Sequence, residues 1–469
     1  MTKPNFIFIL ADDLGYADLG CTGARLAPGN THLTGGVSPH LDRLAREGLL
    51  FSQGYANSPV CSPTRFALAT GRYQYRLRGA AEEPLAGSAM GNPVLGLPPE
   101  HPTLPSLLRD AGYSTALIGK WHLGYLPHFG PLKSGYQTFF GPRAGGVDYF
   151  AHTARSGQHD LWEGDEHATC KGYLTDLLSA RAVDFVRAQK NHPGKPDKPF
   201  FLSLHYTAPH WPWLTRDDED ESKRIDGSIA HLDGGNIATY QRMIHHMDEG
   251  IGHLMAALKE TGADDNTLIV FTSDNGGERF SDNWPFIGQK MDLLEGGIRV
   301  PLLARWPARI KAAGSASSAG SGTAANLLTT TLHTATPAIT MDWTATLLEA
   351  AGVAPHADYP LDGESLLPLF DNPQWRPARN LYWRMLYRKQ RALLSGSGRW
   401  KYLRIEDHDY LFDLSTDARE RSNQAKRDPA RLEAMRAEWE AWATTMPGIA
   451  PDAQFSLVYG EAQMPRPGH

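Results

Sequence analysis

Ser58-Pro59-Val60-Cys61-Ser62-Pro63-Thr64-Arg65-Phe66-Ala67-Leu68-Ala69-Thr70-Gly71 is a loop that turns into a helix around a cysteine. The apolar residues after Arg65 carry a helical run that Gly71 stops. Pro63 suits the first helical turn, where its missing N–H is not needed. Cys61 therefore falls at a helix N-terminus, where backbone amides and the helix dipole favour an anion. Arg65, one turn later, adds a positive charge on the same face. A free cysteine near a cap is otherwise a small hydrophobe, so the surrounding segments decide.

The chain has 469 residues, 41% of them hydrophobic and 21% charged, with a net charge of -6. That length exceeds one ordinary domain and allows a large core plus a smaller lobe. The negative balance and the lack of a Lys/Arg tract exclude a general nucleic-acid binder. Three cysteines, Cys21, Cys61 and Cys170, form no metal-type or disulfide spacing. The opening apolar run Asn5–Leu10 is too short for a signal-peptide core or a membrane span. The expectation is a cytoplasmic protein with no membrane partner, or a periplasmic or secreted one if a leader was removed.

Short apolar runs alternate with amphipathic stretches, the pattern of helices covering a mostly parallel sheet. Strands are expected at Asn5–Leu10, Ser114–Gly119, Pro199–His205, Thr267–Thr272 and Pro301–Trp306. Helices are expected at Pro39–Glu47, Thr103–Ala111, Tyr173–Ala188, Ala238–Glu260 and Met341–Ala351. Lys311–Pro337, rich in Ala, Gly, Ser and Thr, reads as a flexible surface insertion. Residues 1–374 thus form an α/β domain. Residues 375–469 read as a subdomain with a small antiparallel sheet (Asn380–Leu386, Arg391–Ser395, Trp400–Ile405, Tyr410–Leu414) and a helix near Pro429–Thr445.

Four of the five main strands lead into chemically pointed residues: Asp12-Asp13, Lys120-Trp121-His122, the turn to His210, and Asp274-Asn275. In an open α/β sheet, groups past the carboxyl ends of parallel strands line one crevice. Asp12, Asp13, Asp274 and Asn275 are hard oxygen donors, and three crowded carboxylates call for a cation such as Ca²⁺ or Mg²⁺. The alternate spacing of Lys120 and His122 puts both on one side if the extended backbone continues. His210 sits in Ala208-Pro209-His210-Trp211-Pro212-Trp213, a stiff loop whose tryptophans could wall a sugar site. His205 reads as a core histidine. Lys290, five residues before Glu295-Gly296-Gly297, is unremarkable alone, and Glu295 with Arg299 reads as an ion pair.

In this order the segments resemble the sulfatase family of the alkaline-phosphatase superfamily. Cys61–Arg65 is similar to its Cys-x-Pro-x-Arg signature, and Asp12-Asp13 and Asp274-Asn275 to its metal motifs. Gly119–Gly124, Pro209-His210 and the spacing of Lys290 from Glu-Gly-Gly also match. His159–Asp165 and Gly172–Leu177 resemble the arylsulfatase and hexosamine-sulfatase branch. The resemblance implies an alkaline-phosphatase-like α/β fold with a large mixed, mostly parallel sheet sandwiched by helices. It implies a sulfatase acting on aryl sulfates or sulfated carbohydrates. Cys61 would be oxidised to formylglycine by a formylglycine-generating enzyme. One divalent ion, calcium with magnesium as the rival, would be held by Asp12, Asp13, Asp274, Asn275 and modified Cys61. Arg65, Lys120 and Lys290 would neutralise sulfate oxygens, Asp274 and His122 would move protons from the nucleophile, and His210 with Lys290 would protonate the leaving alcohol. A phosphate or phosphonate monoester hydrolase on the same scaffold is the alternative, as is a non-catalytic sulfated-glycan binder if Cys61 is unmodified.

Overall fold

A computed structural model describes residues 3–190, 198–311 and 331–459. Its large sheet draws on β1 (Asn5–Ala11), β2 (Leu49–Phe51), β4 (Ser114–Gly119), β5 (Thr138–Gly141), β6 (Trp162–Glu163), β7 (Glu166–His167), β8 (Phe200–His205), β9 (Thr267–Ser273), β10 (Leu302–Arg305) and β11 (Leu332–Thr334). A two-residue pair, β3 (Gly54–Tyr55) and β12 (Ala338–Ile339), stands apart. The sheet order is β11-β2-β10-β9-β1-β8-β4-β5-β6-β7. The centre, β9 to β5, is parallel. β10 runs antiparallel to both its neighbours, and the β6–β7 hairpin closes one edge.

The central strands are continuous apolar runs because helices cover both faces. Ile7, Ile9, Leu202, Leu204, Ile269 and Phe271 pack into the layer that includes helices Pro39–Arg46, Leu174–Lys190 and Ile237–Thr261. The alternating residues Phe6, Phe8, Leu10, Phe201, Leu268 and Val270 face the layer that includes helices Cys61–Thr70, Leu104–Asp110 and Asp342–Ala351. The expected strands and helices lie within two residues of the observed bounds. The insertion is corrected in part: Leu332–Thr334 is a strand parallel to β2. Residues 312–330 lie outside the described residues.

A second sheet is an antiparallel meander of β13 (Leu381–Met385), β14 (Gln390–Leu394), β15 (Trp400–Ile405) and β16 (His408–Asp413). One face holds Met435 and Trp439 of the helix Pro429–Ala443. The other face, through Trp383, Leu394 and Leu403, packs in one cluster with Val60, Cys61, Ala67 and Ile298. The small sheet thus backs the helix that begins at Cys61. No helix among the described residues is long and apolar enough to cross a membrane.

Candidate functional site

Because β1 and β9 are parallel neighbours with Ala11 opposite Ser273, the residues that follow emerge side by side. Asp274 N–H donates to Ala11 O at 3.1 Å, and Asp12 N–H to Ala208 O at 3.1 Å. These bonds bring Asp12, Asp13, Asp274, Asn275 and the loop to His210 to one rim, all buried. Asp13 is held at φ 62°, a left-handed conformation that aspartate tolerates better than most residues. Tyr240 steadies its turn by donating to Asp13 O and to Asp18. On the fourth strand a side chain at Gly119 would fall 1.8 Å from His205 O, so the strand closes tightly there before releasing Lys120.

Cys61 is the first residue of a ten-residue helix that is buried along its whole length, and Pro63 stands in its first turn. Thr64 fixes the entry by accepting from Ser58 N–H and donating to Ser58 O. Arg65 then reaches Asp274 through Nη2 at 2.8 Å and Nε at 3.0 Å, and lies 3.8 Å from Asp12. Lys120 Nζ meets Asp12 Oδ2 at 2.5 Å, and Lys290 Nζ meets Asp13 Oδ2 at 2.7 Å. His210 Nε2 is 3.6 Å from that same Asp13 oxygen.

Three carboxylates thus face three cations in a buried cluster, yet the donor count does not close. Asp12 Oδ1 and Asn275 Oδ1 are buried without any hydrogen-bond partner among the described residues. Cys61, Asp12 and Asp274 offer ligand atoms within 4.8 Å of one another, as do Asp12, Asp13 and His210. Orphaned oxygens beside carboxylates fit a hard cation, which would satisfy them.

The charges are unevenly held. Burial pushes Asp13 up, but Lys290 and His210 outweigh it and hold the carboxyl at about 2. Burial and the charge of Asp12 push Asp274 up to about 6 despite Arg65. Burial also raises the Cys61 thiol, so the unmodified residue is not a ready thiolate. His210 is driven down to about 3, chiefly by burial. Its Nδ1–H donates to Trp211 O at 2.8 Å, which leaves Nε2 as the bare nitrogen. His122 is also held well below the ordinary range by burial, with Nε2–H donating to Leu85 O at 2.7 Å and Nδ1 buried without a partner.

Two details of the sequence reading change. The extended backbone does not continue past Lys120, since His122 adopts φ 57°. Both side chains still reach the rim, through a turn rather than a strand. Trp211 lines the cleft in front of Cys61, but Trp213 is buried beneath Arg279 and Phe280. The cleft encloses about 170 Å³, with Cys61, His122, His210, Trp211, Glu278 and Lys290 among its walls.

What holds Lys290 cannot be read along the chain. Its loop is gripped by the small sheet: Gln390 accepts from Leu293 N–H and donates to Met291 O, both at 2.8 Å. Glu420 accepts from Glu295 N–H at 2.6 Å. Lys401, fully buried, bridges Glu295 at 2.9 Å and Glu420 at 2.8 Å, and Glu295 also pairs with Arg299 at 3.1 Å. Lys401→Met should strand the buried Glu420 carboxylate, leave Glu295 with Arg299, and cost about 3–5 kcal/mol of stability. Urea unfolding measures it, and a loss below about 1 kcal/mol would show that the bridge holds little.

The fold and its rim define an α/β protein in which buried acidic and basic side chains meet past the ends of the central parallel strands. A sequence model of the sulfatase family matches residues 4–353. Human N-acetylgalactosamine-6-sulfatase is 32% identical over 384 residues, which cover 78% of this chain and 65% of that protein. The chain therefore matches just under two thirds of that relative's length. Mouse arylsulfatase J is 34% identical over 310 residues, 64% of this chain and 47% of its own. The crystal structure of Ps i-CgsB in complex with k-i-k-neocarrahexaose superposes with a TM-score of 0.78 at 30% identity, covering 95% of this chain and 94% of that one. The chain belongs to the sulfatase family.

Proposed function

We propose that this protein hydrolyses sulfate monoesters of carbohydrates, with aryl sulfates as accepted surrogates, using residue 61 as a formylglycine hydrate. The observation that carries this reading is the setting of Cys61: the first residue of a buried helix, within ligand reach of Asp12 and Asp274, near the buried cations Arg65 and Lys120, in a cleft that Lys290 also lines. The thiol itself is poorly suited to attack, since burial raises its pKa. Oxidation by a formylglycine-generating enzyme during maturation would supply a hydrated aldehyde with two hydroxyls on one carbon. Residues 1–374 would carry this machinery and residues 375–469 would support the Lys290 loop.

Asp12, Asp13, Asp274, Asn275 and modified residue 61 would hold one divalent cation, calcium with magnesium as the rival, through an all-oxygen donor set. When bound, such an ion polarises a sulfate oxygen and the attacking hydroxyl. With their carboxylate partners engaged as ligands, Arg65, Lys120 and Lys290 would be free to meet the ester oxygens. Asp274, within reach of residue 61, would take the proton of the attacking hydroxyl. Sulfur–oxygen cleavage then releases the alcohol, which needs a proton. Of the two groups on that side, Lys290 holds a proton in this state, whereas neutral His210 must first gain one at Nε2. His122, with its bare Nδ1, is the base for the second hydroxyl, whose deprotonation expels sulfate and restores the aldehyde.

The relatives named for N-acetylgalactosamine 6-sulfate and carrageenan-type sugars support a sulfated glycan as substrate. A phosphate or phosphonate monoester is the second reading. A phosphate monoester brings more negative charge and would call for a richer cationic site or a second ion, whereas the described residues gather one acidic cluster around Asp12. Comparison of kcat/KM for 4-nitrophenyl sulfate and 4-nitrophenyl phosphate on the purified protein should show a sulfate preference. A phosphate preference would overturn the assignment. Binding of sulfated sugar without turnover would point to a glycan binder.

A further inference from the structure

The cleft contains one group with no use for sulfate. Glu278 lines it together with Cys61, His210 and Lys290. A carboxylate beside a sulfate is repulsive, so in a pocket built for an anion it must serve another part of the ligand. Its place is fixed by the turn that carries Asp274 and Asn275. A side chain at Gly276 would lie 1.9 Å from Gly296 O, and one at Gly277 would lie 2.1 Å from Ser281 Oγ. Glu278 is thus the first side chain the turn can offer after Asn275.

The neighbouring cations are engaged elsewhere. Lys290 is paired with Asp13 at 2.7 Å. Arg279 is turned away, stacked 4.0 Å over Trp213 with Nη2 donating to His231 O at 2.6 Å. The Tyr459 hydroxyl lies beside the Glu278 carboxylate. Glu278 Oε2 remains buried and without a hydrogen-bond partner among the described residues. Tyr459 belongs to a segment whose Ser456, Leu457 and Val458 also line the cleft wall. That segment is tied down by Arg78 to Asp452 at 3.0 Å, and by Glu83 N–H to Gln454 O and Ser456 N–H to Glu83 O.

We propose that Glu278, backed by Tyr459, is a specificity-determining residue that accepts hydrogen bonds from hydroxyl or amide N–H groups of the sugar bearing the sulfate. An ionised carboxylate can only accept, so its complement is a donor-rich alcohol. A plain aryl alcohol gives it no ring hydroxyl to bind. This assignment rests on the sulfatase reading and narrows its substrate to polyhydroxylated alcohols.

The test compares wild type, Glu278→Ala and Glu278→Gln on N-acetylgalactosamine 6-sulfate and 4-nitrophenyl sulfate. The ratio of kcat/KM for sugar over aryl ester should fall about 10-fold or more in Glu278→Ala, the effect of losing a hydrogen bond to a charged group, and less in Glu278→Gln, which keeps one acceptor. An unchanged ratio overturns the proposal, whether both activities fall together or neither does. If wild type hydrolyses neither ester, the hydrolase reading fails by itself, and calorimetric titration decides the Glu278 assignment. Weaker binding of N-acetylgalactosamine 6-sulfate to Glu278→Ala, with inorganic sulfate bound as before, would sustain it. Equal affinities for both proteins would overturn it.

Discussion

Cys61→Ala should abolish sulfate-ester turnover, with kcat falling by about ten-thousand-fold or more while the fold stays intact. The size follows from the role, since removing a covalent nucleophile leaves only binding and electrostatic stabilisation. Alanine suits the position structurally. Residue 61 begins a helix, and its side chain packs with Val60 and Ala67, so a smaller side chain costs little there. Arg65, Lys120 and Lys290 stay in place, so inorganic sulfate should still bind as a competitive-inhibitor-type anion. Peptide mass analysis of protein matured in its own host should show residue 61 as formylglycine rather than cysteine. Turnover within about tenfold of wild type in Cys61→Ala would remove residue 61 from the chemistry.

Much of this site could be read along the chain because the fold delivers it simply. Asn5–Ala11 and Thr267–Ser273 are unbroken apolar runs that end at acidic pairs, and parallel pairing brings those pairs together. The helix from Cys61 announces itself by Pro63 and Gly71, both of which fall where expected. What stayed hidden depends on contacts between remote segments. Gln390, Lys401 and Glu420 sit 97 to 125 residues from the loop they grip. Gln390 and Lys401 are polar positions within strands, which by periodicity read as solvent-facing, and Glu420 stands in a charged turn. Trp213 misled for the opposite reason: two tryptophans two apart look equivalent in sequence, while two prolines turn only one toward the cleft. Leu332–Thr334 is three residues in a low-complexity stretch, too short for any period to show.

Asp274→Ala should cost both the divalent ion and the reaction, and the two losses can be separated. Asp274 accepts a hydrogen bond from Arg65 Nε, pairs with its Nη2, and lies within ligand reach of Asp12 and Cys61. Its removal deletes one charged ligand and the base for the attacking hydroxyl. Arg65 is then left to pair with Asp12, now 3.8 Å away, which competes with a cation for the same oxygen. Wild type purified with calcium should carry about one ion per chain by elemental analysis, and the variant about a tenth of that. The expected fall in kcat/KM is about a thousand-fold or more, the scale of losing a preorganised electrostatic group together with a general base. A stability readout, independent of turnover, distinguishes ion loss from damage to the fold. An ion that binds only the folded state stabilises it by about 2.7 kcal/mol at 100 times its Kd, so chelation should lower the wild-type Tm and calcium or magnesium should restore it. The Tm of Asp274→Ala should not respond to either treatment. A wild-type Tm and activity that both ignore exhaustive chelation would mean that Asp12 Oδ1 and Asn275 Oδ1 are not ligands, and the proposed mechanism would lose its centre.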